Sequence, residues 1–302
     1  MGERVVTAKH KLVVTAVALF ASLAGASSAD AEPTVRGEVH TRVGRAVAPF
    51  YLDSIPQVES EFTQAVSFIL AVQVAVRRRT AVGLRLPAAP SLVAQPAGSY
   101  LDDKAFGNPE LFAEHRLDVL VRDRWSLQPT VRGAIGIPVA GSGPSETLTK
   151  NRVIAISAAM EGWREQELYV PGVLPLTASA ALVAKRDHFR GTVAVEIPLL
   201  LRVRDAGIDS RVDTRAVSLA PNASVAGGAT VAGIVHASVA VHLAALLPTP
   251  VAQPGGNVQL SVEPRINVAV SRHLTLTVDG LFAVRGPLAN TLGIGLGMAV
   301  SL

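Results

Sequence analysis

The chain has 302 residues, a formal net charge of +4 at neutral pH and no cysteine. This composition excludes disulfides, thiolate metal sites and a cysteine nucleophile, and no basic stripe with interleaved aromatic residues indicates a nucleic-acid partner. Hydrophobic residues make up 49% of the chain and the mean hydropathy is +0.36. Because no apolar run after the N-terminal region is long enough for a spanning helix, this apolar surface needs another location.

The N-terminus has the pattern of a secretory signal peptide. Basic residues precede an apolar stretch over 12–26, and a small-x-small cleavage site ends at Ala31. We expect cleavage after Ala31, which divides the chain into a signal peptide, 1–31, and a mature domain, 32–302. An uncleaved membrane anchor is the alternative.

Apolar residues alternate with polar or small residues along the mature chain, with the period of two that is typical of a β-strand. In 292–302, Leu, Ile, Met and Val alternate with Gly, Ala and Ser. Other runs keep one register for roughly 36–43 Å at about 3.3 Å per residue. This length crosses a bilayer when tilted, whereas strands of soluble proteins are usually about 5–6 residues long. The alternation predicts strands over 34–44, 64–76, 80–86, 114–122, 125–138, 174–185, 189–204, 214–226, 229–245, 257–270, 273–285 and 291–302.

The segment 151–164 differs from these twelve runs. Ile156, Met160 and Trp163 follow the i, i+4, i+7 spacing of a helix, and Asn151 is a suitable N-cap. We therefore predict a short helix inside a long loop. The strand count then stays even, as it does in bacterial barrels.

The predicted connections fall into two classes that alternate along the chain. Short periplasmic turns and longer outside loops follow this pattern in membrane barrels, and it places both termini on the periplasmic side. The tight turns are 77–79, 123–124, 185–188, 227–228 and 271–272. The longer connections are 45–63, 87–113, 139–173, 205–213, 246–256 and 286–290.

The signal peptide, the lack of cysteine, the long alternating strands and the apolar C-terminal residue Leu302 together resemble Gram-negative outer-membrane β-barrel proteins. The resemblance implies an all-β fold: a single antiparallel transmembrane β-barrel of about twelve strands, with a short helix in an extracellular loop. It also implies location in the outer membrane, contact with outer-membrane lipid, and recognition by the barrel-assembly machinery.

The polar rows of the strands carry charges of both signs. If these rows face inward, they form either a charged channel wall that selects solutes or cross-strand salt bridges that fill a narrow lumen. The sequence leaves both interpretations open. The predicted lumen-lining residues are Arg116, Asp118, Arg122, Arg132, Glu196, Arg202, Glu263 and Arg265.

No catalytic signature points to an enzyme. The HExxH, GxSxG and P-loop motifs are absent from the sequence. His236, Ser238 and His242 share a strand face, but residues i and i+2 on a strand are roughly 7 Å apart and form no catalytic pair by themselves. We therefore predict no catalytic residue, no cofactor and no metal site.

The sequence favours an outer-membrane channel for passive passage of small solutes, with no chemical step. Its lumen would be narrowed by the loops 87–113 and 139–173. A structural or adhesive barrel with a filled lumen, a barrel hydrolase and a secreted soluble β-protein are the alternatives.

Overall fold

The computed structural model describes residues 34–48, 60–89, 93–94, 100–101, 105–140, 157, 160–162, 164–170, 172–203, 217–245, 247, 258–286, 288 and 291–302. The predicted signal peptide, 1–31, lies outside these residues, as do large parts of the longer loops. Within the described residues, no helix is long and apolar enough to cross a membrane.

Strands dominate the described part of the chain, together with one short helix, α1, at Gln166–Tyr169. The strands are β1 Val35–Ala48, β2 Ser60–Arg77, β3 Thr80–Ala89, β4 Val93–Ala94, β5 Tyr100–Leu101, β6 Ala105–Phe106, β7 Glu110–Arg116, β8 Leu120–Arg122, β9 Trp125–Gly136, β10 Val173–Arg186, β11 Phe189–Arg202, β12 Val217–Leu219, β13 Asn222–Val231, β14 Val235–Ala245, β15 Val258–Ala269, β16 Leu274–Arg285 and β17 Leu292–Ser301.

Twelve of these strands form a closed antiparallel barrel. Their order around the wall is β1, β2, β3, β7, β9, β10, β11, β13, β14, β15, β16 and β17. Pairing of β1 with β17, from Arg36 opposite Ser301 to Arg45 opposite Leu292, closes the ring. The five remaining strands are two or three residues long and pair at the edges of the wall. The predicted twelve-strand barrel is confirmed.

The two faces of the wall follow the alternation in the sequence. On β11, Val193, Val195 and Ile197 point outward and are 46–50% exposed, whereas Leu200 points inward and is 2% exposed. On β17, Ile294 and Leu296 are also more than half exposed. An outward belt of large aliphatic side chains is the surface that hydrocarbon covers in a membrane barrel.

One predicted tight turn is wrong. Gly227 and Gly228 lie inside β13 and not in a turn. A Cβ on Gly228 would stand 2.4 Å from the carbonyl oxygen of Ala237 on β14, so no side chain fits there. The glycine therefore serves the close approach of two strands. The turn is formed five residues later, where Ala232 and Gly233 have φ values of +51° and +70°.

The predicted strand 114–122 is also displaced. The wall strand is β7, Glu110–Arg116, and residues 117–119 interrupt the strand before β8. The outward row of β7 is Leu111, Ala113 and His115, which is too weakly apolar to show the alternation. Residues 110–113 therefore belong to the wall rather than to the predicted loop 87–113.

Helical structure occurs near the predicted loop helix. Ser157 and Met160 are helical, and the amide of Glu161 donates to the carbonyl of Ser157 over 3.2 Å, which is helical i to i−4 bonding. The helix α1 follows immediately. Residues 151–156, 158–159 and 163 of the predicted helix lie outside the described residues.

Candidate functional site: the charged barrel lumen

The long connection between β9 and β10 enters the barrel interior. We call its described residues 157, 160–162 and 164–170 the lumen segment. Met160, Glu161, Leu168 and Tyr169 are each no more than 1% exposed. The segment contacts inward side chains on several strands of the wall, so it lies within the lumen and does not cover it from outside.

Arg42 on β1 anchors one end of the lumen segment. Its guanidinium donates to Glu161 over 2.5 Å, to Asp279 on β16 over 2.5 Å and to Glu263 on β15 over 3.1 Å. Arg42 is 0% exposed, and Ser67 on β2 donates to the other oxygen of Glu161. Charge-assisted hydrogen bonds of this kind are short and strong, so Glu161 is fixed directly to β1 and β2, and through Arg42 to β15 and β16.

Arg164 forms a second attachment beside the first. It pairs with Glu263 over 2.6 Å and with Glu161 over 3.0 Å, and Glu263 also accepts from Arg265 over 2.5 Å. The amide nitrogen of Asn222 donates to the Arg164 carbonyl. This cluster brings β15 and β13 together with the segment and balances acidic against basic groups.

Arg85 on β3 holds the other end of the segment. It pairs with Glu165, with Glu110 over 3.3 Å and with Glu167 over 3.7 Å. Arg132 on β9 pairs with Glu110 as well, and its guanidinium carbon lies 4.3 Å from the ring centroid of Phe112. Ion pairs thus tie the segment to β3 through Glu165, to β1 through Glu161 and to β15 through Arg164.

Burial and neighbouring charges act in opposite directions on the acidic groups of the lumen segment. Burial favours the neutral form of Glu161, but Arg42 and Arg164 outweigh it and lower the pKa of that carboxyl. The same balance lowers the pKa of Glu165, where Arg85 provides the largest opposing charge. Both groups therefore stay ionised as the partners of their arginines.

Glu167 behaves differently although it follows Glu165 by two residues. Burial, and then the negative charges of Glu196 and Glu165, raise its pKa well above the ordinary value. Neither carboxyl oxygen of Glu167 has a hydrogen-bond partner. Its surroundings therefore favour the neutral form of Glu167 more than water does.

The last strand provides space for this network because its inward residues are glycine. A Cβ on Gly293 would stand 2.8 Å from Arg42 and 2.8 Å from Met160. A Cβ on Gly295 would stand 2.3 Å from a carboxyl oxygen of Asp279. The bare inward face of β17 thus lets the arginine and the segment pack directly against the wall.

A cavity of about 910 Å³ occupies the part of the lumen on the tight-turn side of the segment. Glu161, Arg164 and Glu165 bound it at one end, and the turn residues His188 and Gly233 bound it at the other. Charged side chains of both signs line the wall between, among them Arg36, Glu38, Arg132, Lys185, Arg190 and Arg265. We call this space the vestibule.

Four of the eight predicted lumen-lining residues lie at the networks or the vestibule. Arg132 and Arg265 line the vestibule, and Glu263 joins the Arg42 and Arg164 clusters. Glu196 accepts from the amide nitrogen of Asn222 over 3.3 Å.

The other four lie near strand ends. Arg202 is the last residue of β11, at the loop end of the barrel. Arg116 ends β7 and is 57% exposed in its side chain. At the tight-turn end, Asp118 lies within the interruption of that strand and Arg122 ends β8 beyond it, with side-chain exposures of 75% and 86%. Strand parity does not extend across such an interruption, so the lumen assignment of these two residues remains a prediction.

Sequence reasoning missed the residues that hold the segment. Arg42 stands in a visible polar row with Arg36, Glu38 and His40 on a predicted strand, and this row was a usable signal. Arg85 and Glu110 gave a weaker one, since Glu110 lay in a predicted loop. Glu161 gave none, because nothing local in the sequence shows that a loop residue enters the lumen.

The residues considered for hydrolysis are not arranged as a catalytic pair. His236 bonds to Thr230 through Nδ1 over 3.1 Å, and His242 Nε2 lies 3.9 Å from Glu263. No hydrogen bond joins Ser238 to either histidine on described β14. Across the described residues, no group of three or more His, Asp or Glu side chains is arranged to hold a metal ion.

Comparison with known proteins gives structural matches alone. No family model matches the sequence, and no curated protein matches it either. An outer membrane channel from Pseudomonas putida F1 superposes with a TM-score of 0.63 at 13% identity, over 92% of this chain and 98% of that one. The fold is therefore that of an outer-membrane β-barrel protein.

Two porins are more distant. The NanC porin gives a TM-score of 0.49 at 8% identity, over 90% of this chain and 100% of that one. The KdgM porin gives 0.46 at 6% identity, over 88% and 99%. These scores are too low to carry an inference about function.

Proposed function

We propose that this protein is a passive channel for small solutes in the outer membrane of a Gram-negative bacterium, exported by the signal peptide 1–31. The observation that carries the proposal is the vestibule, a charged cavity of about 910 Å³ inside a wall whose outer face is aliphatic. Such a wall separates a polar path from lipid and requires no chemical step.

The lumen segment sets the resistance of this channel. Its ion pairs with Arg42 and Arg85 attach it to β1 and β3, the two neighbours of β2 in the wall. Solutes that enter the vestibule meet Glu161, Arg164 and Glu165 as a charged constriction. The rate of solute passage then depends on the width of the gap between the lumen segment and the wall, and on how far the segment can move to widen it.

A barrel with a filled lumen is the second candidate. The buried network around Arg42 favours it, because charged groups that are all paired and hidden from water serve rigidity well. In that case the vestibule would be a blind pocket and the protein would act through its outer surface or loops.

Single-channel recording separates the two candidates. The purified protein is folded into detergent, checked for the compact barrel by its heat-dependent migration on gels, and inserted into planar bilayers. A channel gives discrete conductance steps at a frequency that rises with the amount of added protein. A folded barrel that gives no steps at any voltage contradicts the channel function.

A further inference from the structure

Positive charge is concentrated on one half of the tight-turn end. The hairpins β2–β3, β7–β9 and β10–β11 are consecutive around the wall. We call the cationic residues at their tips the basic rim: Arg77, Arg78, Arg79, Arg122, Arg124, Lys185, Arg186 and Arg190. On the other half, the β13–β14 turn at 232–234 is uncharged and the β15–β16 turn carries Arg272.

Three aspartates accompany the basic rim without neutralising it. Asp118 pairs with Arg79, Asp123 lies 3.8 Å from Arg122, and Asp187 lies 3.8 Å from Arg186. Each of these carboxylates is at least 71% exposed. Exposed pairs of this kind are weak, so the rim keeps a net positive charge.

Part of the rim points outward to the lipid side rather than into the vestibule. Trp125 shares the outward row of β9 with Val131 and Ile135, which are 43% and 45% exposed. Arg186 opposes Phe189 across the β10–β11 hairpin. Its guanidinium carbon lies 5.9 Å from the Trp125 ring centroid, within cation–π range.

This outward cluster combines three features. Phe189 borders the vestibule at the hairpin tip and is 62% exposed, and Trp125 is partly exposed, so aromatic surface is present where the apolar belt ends. Trp is enriched at that level in membrane proteins because one part of its ring is apolar and another is polar. Arg186 lies beside the Trp125 ring and is the cross-strand partner of Phe189, and a guanidinium forms bidentate hydrogen bonds with phosphate well.

We propose that the outward part of the basic rim, centred on Trp125, Arg186 and Phe189, is a binding site for the phosphate headgroup of an anionic phospholipid. The acyl chains would lie along the aliphatic belt beneath the two rings, and Arg122 and Arg124 would add attraction from the neighbouring turn. The inference rests on the membrane location proposed above, but not on conductance.

Tryptophan fluorescence tests the site directly. The chain has two tryptophans, so the Trp163→Phe variant leaves Trp125 as its single reporter. This variant is reconstituted into vesicles of phosphatidylcholine that contain equal mole fractions of brominated phosphatidylglycerol or brominated phosphatidylcholine. Because bromine quenches tryptophan at short range, the ratio of the two quenching curves reports the relative affinity of the lipid next to Trp125.

We expect brominated phosphatidylglycerol to quench more strongly than brominated phosphatidylcholine. Adding Arg186→Gln should lower this preference about fivefold, the effect of one cation near an anionic membrane surface. Arg272→Gln, on the half that lacks the rim, should leave it unchanged. If Arg186→Gln does not fold, the Arg122→Gln/Arg124→Gln pair on the exposed turn replaces it, with a smaller loss expected.

Three results overturn the proposal. Equal quenching by both lipids means that the site has no preference for anionic headgroups, while the channel function stands. A preference that survives both Arg186→Gln and the Arg122→Gln/Arg124→Gln pair means that these arginines do not create it. Absence of quenching by either lipid overturns the site and also contradicts the membrane position of the outward belt.

Discussion

Replacing Glu161 by Gln should release the lumen segment and increase the time that the channel spends open. The change removes a carboxylate whose oxygens accept from Arg42 over 2.5 Å, from Ser67 over 2.5 Å and from Arg164 over 3.0 Å. Arg42 keeps Asp279 and Glu263 as partners, so the wall retains a paired cation. The loss therefore falls on the attachment of the segment.

The size of the effect follows from burial. Breaking a buried ion pair by removing one partner costs about 3–5 kcal/mol. At the lower value, the ratio of displaced to seated segment rises more than about 100-fold, since about 1.4 kcal/mol corresponds to a factor of ten. A segment displaced roughly one part in a thousand would then be displaced on the order of one part in ten.

Single-channel recording measures this change as open probability. Glu38→Gln is the matched control, because Glu38 also lines the vestibule but pairs with Arg36 at 3.4 Å and is 50% exposed. We expect wild-type behaviour from this control. Equal open probability in Glu161→Gln and wild type, with both barrels folded on gels, would refute the role of Glu161 as an anchor.

Three further predictions concern the wall, the pH dependence and the selectivity. Val278→Arg places a cation on the outward face and should cost about 2–4 kcal/mol of barrel stability near the membrane midplane. Thr277 points into the vestibule, so Thr277→Arg should cost less. Equal urea midpoints of the two variants in lipid would contradict the assignment of the faces. Because the raised pKa of Glu167 makes the folded state bind more protons, stability should fall as pH rises from the ordinary glutamate pKa through the raised one. Glu167→Gln should remove that part of the slope, and an unchanged pH profile of unfolding would show that Glu167 titrates normally. The vestibule lining has more arginines and lysines than carboxylates, so we expect mild anion preference; Arg265→Glu should shift the reversal potential under a salt gradient towards cations, and cation selectivity before and after the exchange would exclude this arginine as its source.

The wall was predictable because its information is local. An apolar row such as Val193, Val195 and Ile197 meets lipid whatever its neighbours are, so period two in the sequence is sufficient to identify the strand. The prediction failed where a local signal had another cause. Gly227 and Gly228 resemble a turn, yet a bare residue is needed at Gly228 for strand contact.

The contents of the lumen were not predictable in the same way. Glu161 meets Arg42 across 119 positions of sequence, and Arg42 meets Asp279 across 237. Many other residues of the same charge could form the same ion pairs. Alternation in the sequence shows only which face of the wall a residue occupies. Both anchors thus depend on how the closed wall places distant strands, which a single sequence does not reveal.

The ring of hydrogen-bonded strands is complete without the lumen segment, since β1 pairs with β17 along ten consecutive residues. The barrel wall and the lumen segment are therefore structurally separable. The diameter of the open lumen can therefore be changed by altering the β9–β10 connection alone, while the twelve strands and their order stay the same. For nanopore engineering, one barrel can thus provide pores of several diameters. Arg42 and Arg85, whose ion pairs hold the lumen segment, are the two residues to redesign.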